Sequence, residues 1–253
     1  MRGVWQRVAL AALVVVIVGP SALRAEPKEK LSKTCQVPNW IAETSVPLPN
    51  ARHSLKREKQ LKIVALGSSS TLGSGGSGPD AAWPAQLATA LSKRMPDAKI
   101  TVVNKAEMRQ SVPQMLARLD KDVLAEKPSM VIWEAGTSEA VRHADIDAFT
   151  ADLLLGIDRL ASNKIDVVLM DMQYARDTAR IINFQPYVDA MGRSGMMRNI
   201  FVFPRYDIMR DWVENEQVSF EHLQRADAIK TADVVYACLG KLLAELLANS
   251  LAK

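Results

Sequence analysis

The chain has 253 residues, 48% hydrophobic, 24% charged and 6% aromatic, with 12 glycines and 12 prolines; these values suit a globular protein with a substantial core and exclude a disordered, collagen-like or miniature scaffold. The formal charge of +4, less the three arginines Arg2, Arg7 and Arg24 of an acid-free leader, leaves +1. Nucleic-acid binding needs many clustered cations, so no nucleic-acid partner is expected.

Arg2 and Arg7 precede an unbroken apolar run from Val8 to Val18, followed by Gly19, Pro20 and a small-residue stretch ending at Ala25. That is the layout of a secretory signal peptide over residues 1–25, and its apolar run is short for a bilayer span. An uncleaved anchor is the competing reading. No later stretch approaches 18 uncharged apolar residues, so the expected product is periplasmic or secreted, with no stable membrane span after signal cleavage. In an oxidising compartment Cys35 and Cys238 would pair and pin the N-terminal extension to the last helix. Two buried free thiols are the alternative.

Residues 26–60 are rich in Pro, Lys and Glu and read as an extended lead-in, with the basic stretch from Arg52 to Lys62 as a solvated face. The folded domain is placed at residues 61–253. Short β-rich runs predict strands at Lys62–Leu66, Ile100–Val103, Met130–Trp133, Asp166–Met170 and Ile200–Phe203. Between them, apolar spacing of three and four predicts helices at Ala82–Arg94, Val112–Ala125, Ile146–Ala161 and Pro186–Met197, with a terminal helix at Thr231–Leu251. Strict alternation of this kind implies one α/β domain, a three-layer α/β/α arrangement around a parallel five-stranded sheet, with no internal repeat. Active groups in such sheets stand at the carboxyl ends of strands.

The first strand runs directly into Gly67-Ser68-Ser69-Ser70-Thr71-Leu72-Gly73, a small-residue turn where a nucleophile would stand exposed. A phosphate cradle is rejected because no Gly-Lys-Ser/Thr follows. In its wider context the chain resembles the SGNH, or GDSL, hydrolase family, whose first block is an apolar strand followed by Gly-Asp-Ser-x-Thr. The nucleophile position maps to Ser69. The second family block, Asn-x-x-x-x-Gly-x-Thr, looks like Asn104 to Ser111, with Arg109 at the glycine. The third, Gly-x-Asn-Asp, looks like Gly136-Thr137-Ser138-Glu139, with Ser138 at the asparagine. The last, Asp-x-x-His, looks like Asp227-Ala228-Ile229-Lys230, with Lys230 at the histidine.

The resemblance covers roughly residues 60–251 and implies the flavodoxin-like SGNH-hydrolase fold. It also implies a default chemistry: serine attack on an ester, a histidine base oriented by aspartate, and an oxyanion held by two amides and an asparagine. Ser69 and Asp227 are kept, while the glycine, asparagine and histidine positions are substituted. A free lysine titrates near about pH 10.4, so service as a base near pH 7 would need about 4 kcal/mol of differential interaction. Asp227 three residues earlier favours the charged amine instead, and an Asp227–Lys230 ion pair is the simpler expectation. Losing one oxyanion donor typically costs about 100- to 1,000-fold in turnover. The guanidinium of Arg109 has two readings, an anion or oxyanion donor and a solvent-facing cation.

Three histidines remain to be weighed. His53 lies in the lead-in, His143 reads as part of an exposed helix start, and His222 superficially mimics the Asp-x-x-His spacing without its downstream register of Asp233 and Tyr236. Trp83 and Trp133 read as packing residues, and Gln173-Tyr174 as candidates to line the cleft. No His, Cys and carboxylate cluster has metal spacing and no dinucleotide glycine pattern occurs, so no metal or cofactor is implied. The favoured expectation is a weak or non-catalytic relative binding a small acyl-ester or saccharide-type ligand. One alternative is an active esterase using Ser69 with Lys230 or His222 as base, and another is a purely structural protein held by its cysteines. Oligomeric state is not legible.

Overall fold

In the computed structural model the described residues are 35–38, 40–41, 46–221 and 223–252. All belong to one compact unit spanning residues 31–253; the leader assigned to residues 1–25 lies outside the described residues.

The first element is a helix, α1 (Pro49–Glu58), where an extended lead-in is expected from composition. Pro49 at its first turn suits helix initiation, and Ala51 is fully buried, its amide donating to the Asp166 carboxylate at 2.9 Å while Asn50 Nδ2 donates to the same group at 2.7 Å. Tertiary anchoring on Asp166 thus overrides a polar composition. The helix ends at Lys59 in the left-handed conformation.

After α1 come β1 (Gln60–Leu66), the one-turn helix α2 (Ser69–Leu72), a 3₁₀ turn (Pro79–Ala81), α3 (Trp83–Arg94) and β2 (Lys99–Asn104). The expected helix at Val112–Ala125 is broken into α4 (Val112–Ala117), α5 (Leu119–Asp122) and a 3₁₀ turn (Leu124–Glu126). Arg118 leaves helical geometry between α4 and α5, with φ −110° and ψ 7°, while its side chain donates to Gln110 and to Asp122. The chain continues through β3 (Met130–Glu134), α6 (Thr137–Val141), α7 (Ile146–Ser162) and β4 (Asp166–Met170). It ends with α8 (Arg176–Ala179), α9 (Gln185–Arg198), β5 (Phe201–Phe203), α10 (Arg205–Glu214) and α11 (Arg225–Ala252).

The five strands form one parallel sheet in the order β2-β1-β3-β4-β5. β3 and β4 are buried along their whole length, as expected for strands covered on both faces. The core on one side is closed by α11 lying on α3: a Cβ on Gly240 would stand 2.8 Å from the Leu87 amide nitrogen, so the two backbones meet at a glycine. On the other side Gly156 of α7 admits Trp133, whose ring would lie 2.3 Å from a Cβ placed there. α11 is long and apolar enough to cross a membrane by length and composition, although the sequence shows no uncharged apolar run of that length; 67% of its most apolar window is buried within the fold. Cys35 and Cys238 are joined by a disulfide, with Cα atoms 5.2 Å apart, fastening the chain ahead of α1 to α11.

Candidate active site

The carboxyl ends of β1, β2 and β3 deliver three of the four family blocks to one edge of the sheet. Beyond β1 the chain turns through Ser68 into α2, so that half-buried Ser69 opens the helix. The turn is pinned from below by Glu134, the last residue of β3. This fully buried carboxylate accepts from the Ser68 amide at 2.9 Å, the Ser68 hydroxyl at 3.2 Å and the Thr71 hydroxyl at 3.0 Å. Arg205, at the start of α10, closes the cluster: Nη1 donates to Ser70 Oγ at 2.9 Å and Nη2 to Glu134 at 3.3 Å, with both charged side chains 1% exposed. Sequence reasoning missed this pair. The available signal was an acid ending an otherwise apolar strand, with an arginine at the equivalent exit of β5.

Asn104, at the end of β2, donates through Nδ2 to the Thr71 carbonyl at 2.8 Å and accepts the Ala106 amide at 3.0 Å, holding the second-block loop against the serine turn. That loop places the Arg109 amide 3.0 Å from Ser69 Oγ, donating to it. Arg109 has φ +56°, a left-handed conformation of the kind glycine favours, and from it the amide reaches the hydroxyl. The exposed Arg109 also accepts, through its carbonyl, a hydrogen bond from Arg142 at 3.0 Å.

Gly136 (φ +92°) opens α6, and Ser138 and Glu139 are buried within it. Glu139 accepts the Val112 amide at 2.5 Å, tying the third block to α4, and burial pushes its carboxyl above the ordinary range. Just beyond the carboxyl end of β4, Asp171 is buried and accepts the Tyr206 amide at 2.7 Å; burial raises its carboxyl to about 7.

The fourth block falls differently from the expected turn before a helix. Asp227 and Lys230 lie inside the first turns of α11, whose start is six residues earlier than the apolar period indicates, because the polar Arg225–Lys230 segment continues the same helix. Both side chains face solvent, 58% and 77% exposed, with Lys230 Nζ 3.4 Å from Asp227 Oδ1. The helix is held over the serine loop by Asp233, which accepts the Ser77 amide at 2.8 Å, and by Tyr236, whose hydroxyl donates to the Ser74 carbonyl at 2.7 Å. Among the described residues the hydrogen-bond partner of the Ser69 hydroxyl is the Arg109 amide, not an imidazole or an amine. His222 lies outside the described residues. Neither His143, with φ +52°, nor His53 is among the hydrogen-bond partners of Ser69. Among the described residues no group of three or more His, Cys, Asp and Glu side chains could hold a metal ion.

The sheet order, the serine turn after β1 and the loops after β2 and β3 define the α/β/α architecture of the SGNH/GDSL hydrolases. Solved structures carry the same fold. A putative lipolytic protein of the G-D-S-L family from Desulfitobacterium hafniense is 24% identical with TM-score 0.58, covering 73% of this chain and 98% of that one. A lipase/acylhydrolase from Enterococcus faecalis is 24% identical with TM-score 0.59, covering 75% and 96%. A two-domain esterase active on acetylated mannans, co-crystallised with mannopentaose, is 19% identical with TM-score 0.63, covering 82% of this chain and 55% of that one. No curated protein matches the chain. Residues 34–253 match the model of the non-GDSL lipase-like family, and the chain belongs to that family.

Proposed function

We propose that the protein is exported and that its Ser69 pocket binds a small acyl or saccharide-type ligand with slow or no turnover. The observation that carries this reading is the state of the base position. Lys230 is 77% exposed and paired with Asp227 on the outer side of α11, whereas a general base must come within hydrogen-bond reach of the hydroxyl it activates. The short Ser138 side chain at the asparagine position removes a second contribution, since an asparagine amide there would reach further toward an oxyanion. Export is supported by the leader sequence and by the Cys35–Cys238 disulfide, a bond that persists in oxidising compartments. The ligand class is suggested by relatives active on acetylated mannans and acetyl-xylooligosaccharides.

A second reading, a working serine ester hydrolase, is favoured by one contact: the Arg109 amide lies 3.0 Å from Ser69 Oγ, so a nucleophile and one oxyanion donor still stand together. Hydrolysis of p-nitrophenyl acetate by the purified protein and by its Ser69→Ala variant separates the two. Equal rates are expected. Turnover that falls to background in the variant would overturn the binding reading and direct attention to Lys230 and His222.

A further inference from the structure

Two hydrogen bonds and one residue of backbone connect the Ser69 hydroxyl to a guanidinium. The Arg109 amide donates to Ser69 Oγ at 3.0 Å, and the carbonyl of the same residue accepts from Arg142 Nη2 at 3.0 Å. Arg142 follows α6 directly, so the loops after β2 and β3 bring one arginine each to the serine turn. Both arginines are exposed, and the bond to the Arg109 carbonyl occupies one of the several N–H donors of the Arg142 fork.

Most arginines of the described chain lie within salt-bridge distance of a carboxylate. Among the described residues Arg109 and Arg142 have no such partner. The acids closest to them in sequence are engaged otherwise: Glu107 accepts from Gln110 at 2.6 Å, buried Glu139 accepts the Val112 amide, and Asp145 caps α7 by accepting the Ala148 amide at 2.8 Å. Two neighbouring cations without a counter-charge repel each other, and an anion arriving between them relieves that repulsion. The planar fork of a guanidinium matches the oxygens of a carboxylate or phosphate. Each arginine is also preceded by an exposed apolar side chain, Met108 at 61% and Val141 at 51%, so uncovered apolar surface borders both cations.

We propose that the ligand of the Ser69 cleft is anionic: a saccharide or acyl compound carrying a carboxylate or phosphate group, which Arg142 holds beside Ser69 and Arg109 helps to neutralise. The inference rests on the Ser69 reading and assigns the charge of its ligand.

The probes are three mono-O-acetylated methyl glucosides that differ at the sixth carbon alone, bearing a carboxylate, a phosphate ester or the neutral hydroxymethyl group. They are titrated into the purified protein at low salt and followed by protein-observed NMR. Both anionic probes are expected to bind about three- to tenfold more tightly than the neutral one, a modest preference because the guanidiniums are exposed, and to shift the Ser69 and Arg109 amides. The preference should vanish at about 1 M NaCl, where the Debye length is about 3 Å. The tighter of the two anions identifies the group as carboxylate or phosphate. Arg142→Gln should remove the preference and Arg142→Lys restore part of it, whereas Arg193→Gln, the same change of charge on α9, should leave it intact. Equal affinity for all three probes, with the Ser69 amide still shifting, would overturn the charge assignment and leave the Ser69 reading standing. A preference kept by folded Arg142→Gln protein, or lost equally in Arg193→Gln, would overturn it too. Binding by none of the probes would overturn the Ser69 reading and this inference with it.

Discussion

Replacing Glu134 by leucine would remove the acceptor of five hydrogen bonds, from the Ser68 amide and hydroxyl, the Thr71 and Thr137 hydroxyls and Arg205, and would leave the Arg205 guanidinium buried beside an apolar side chain. With both partners 1% exposed, solvent screens little of this loss, and breaking such a pair costs about 3–5 kcal/mol. For a domain of this size each kcal/mol moves the melting temperature by about 2–4 °C, so a fall of about 6–20 °C is expected. The informative comparison is the double variant Glu134→Leu/Arg205→Met. It removes the orphaned charge but still strands the Ser68 amide, so it should recover most of the charge penalty and remain about 1–3 kcal/mol below the parent. Urea unfolding of the parent, both single variants and the double variant completes a thermodynamic cycle. A single-variant cost under about 1 kcal/mol, or strictly additive costs, would refute the claim that this ion pair anchors the serine turn.

Three further outcomes are expected. Gly156→Ala places a Cβ 2.3 Å from the Trp133 ring and should destabilise by about 1–3 kcal/mol through overpacking, measured by the same urea titration; an unchanged midpoint would refute the close contact. The Asp171 carboxyl, raised by burial to about 7, binds its proton more tightly in the folded than in the unfolded chain, so its contribution is fully present below about pH 3.8 and is lost as pH rises through 7. Against the parent, Asp171→Asn should therefore flatten that part of the stability–pH profile, and superimposable profiles would count against the assignment. Replacing Cys35 and Cys238 together by serine should cost about 2–5 kcal/mol and make stability insensitive to dithiothreitol, whereas an undiminished response to the reductant would contradict the disulfide.

The sheet was readable because its strands are short, β-branched and separated by amphipathic helices. All five lie within two residues of their expected bounds, β4 at Asp166–Met170 without any shift. What the periodicity missed was set by contacts distant in sequence. α1 reads as polar lead-in because its anchor, Asp166, is more than a hundred residues away, whereas α10 carries a readable apolar stripe, Ile208, Met209, Trp212 and Val213, that the simple alternation of strands and helices does not call for. The serine turn and the loops of Asn104, Arg109 and Gly136 were legible from small-residue spacing and family resemblance. The Glu134–Arg205 pair was not, since each residue alone looks like an ordinary surface charge. The outward direction of Lys230 follows from α11 beginning at Arg225, a boundary that polar residues conceal.

The Cys35–Cys238 bond spans a sequence separation of 203 residues, so nearly the entire fold lies within one covalent ring. A chain made from its N-terminus at about 5–20 residues per second exposes Cys35 roughly 10–40 s before its partner. During that interval the first thiol has only foreign thiols to react with, and ring closure waits for the last helix. Once closed, a single proteolytic cut anywhere between the two cysteines leaves the pieces linked. Such nicked molecules run as one band on a non-reducing gel and separate only on reduction.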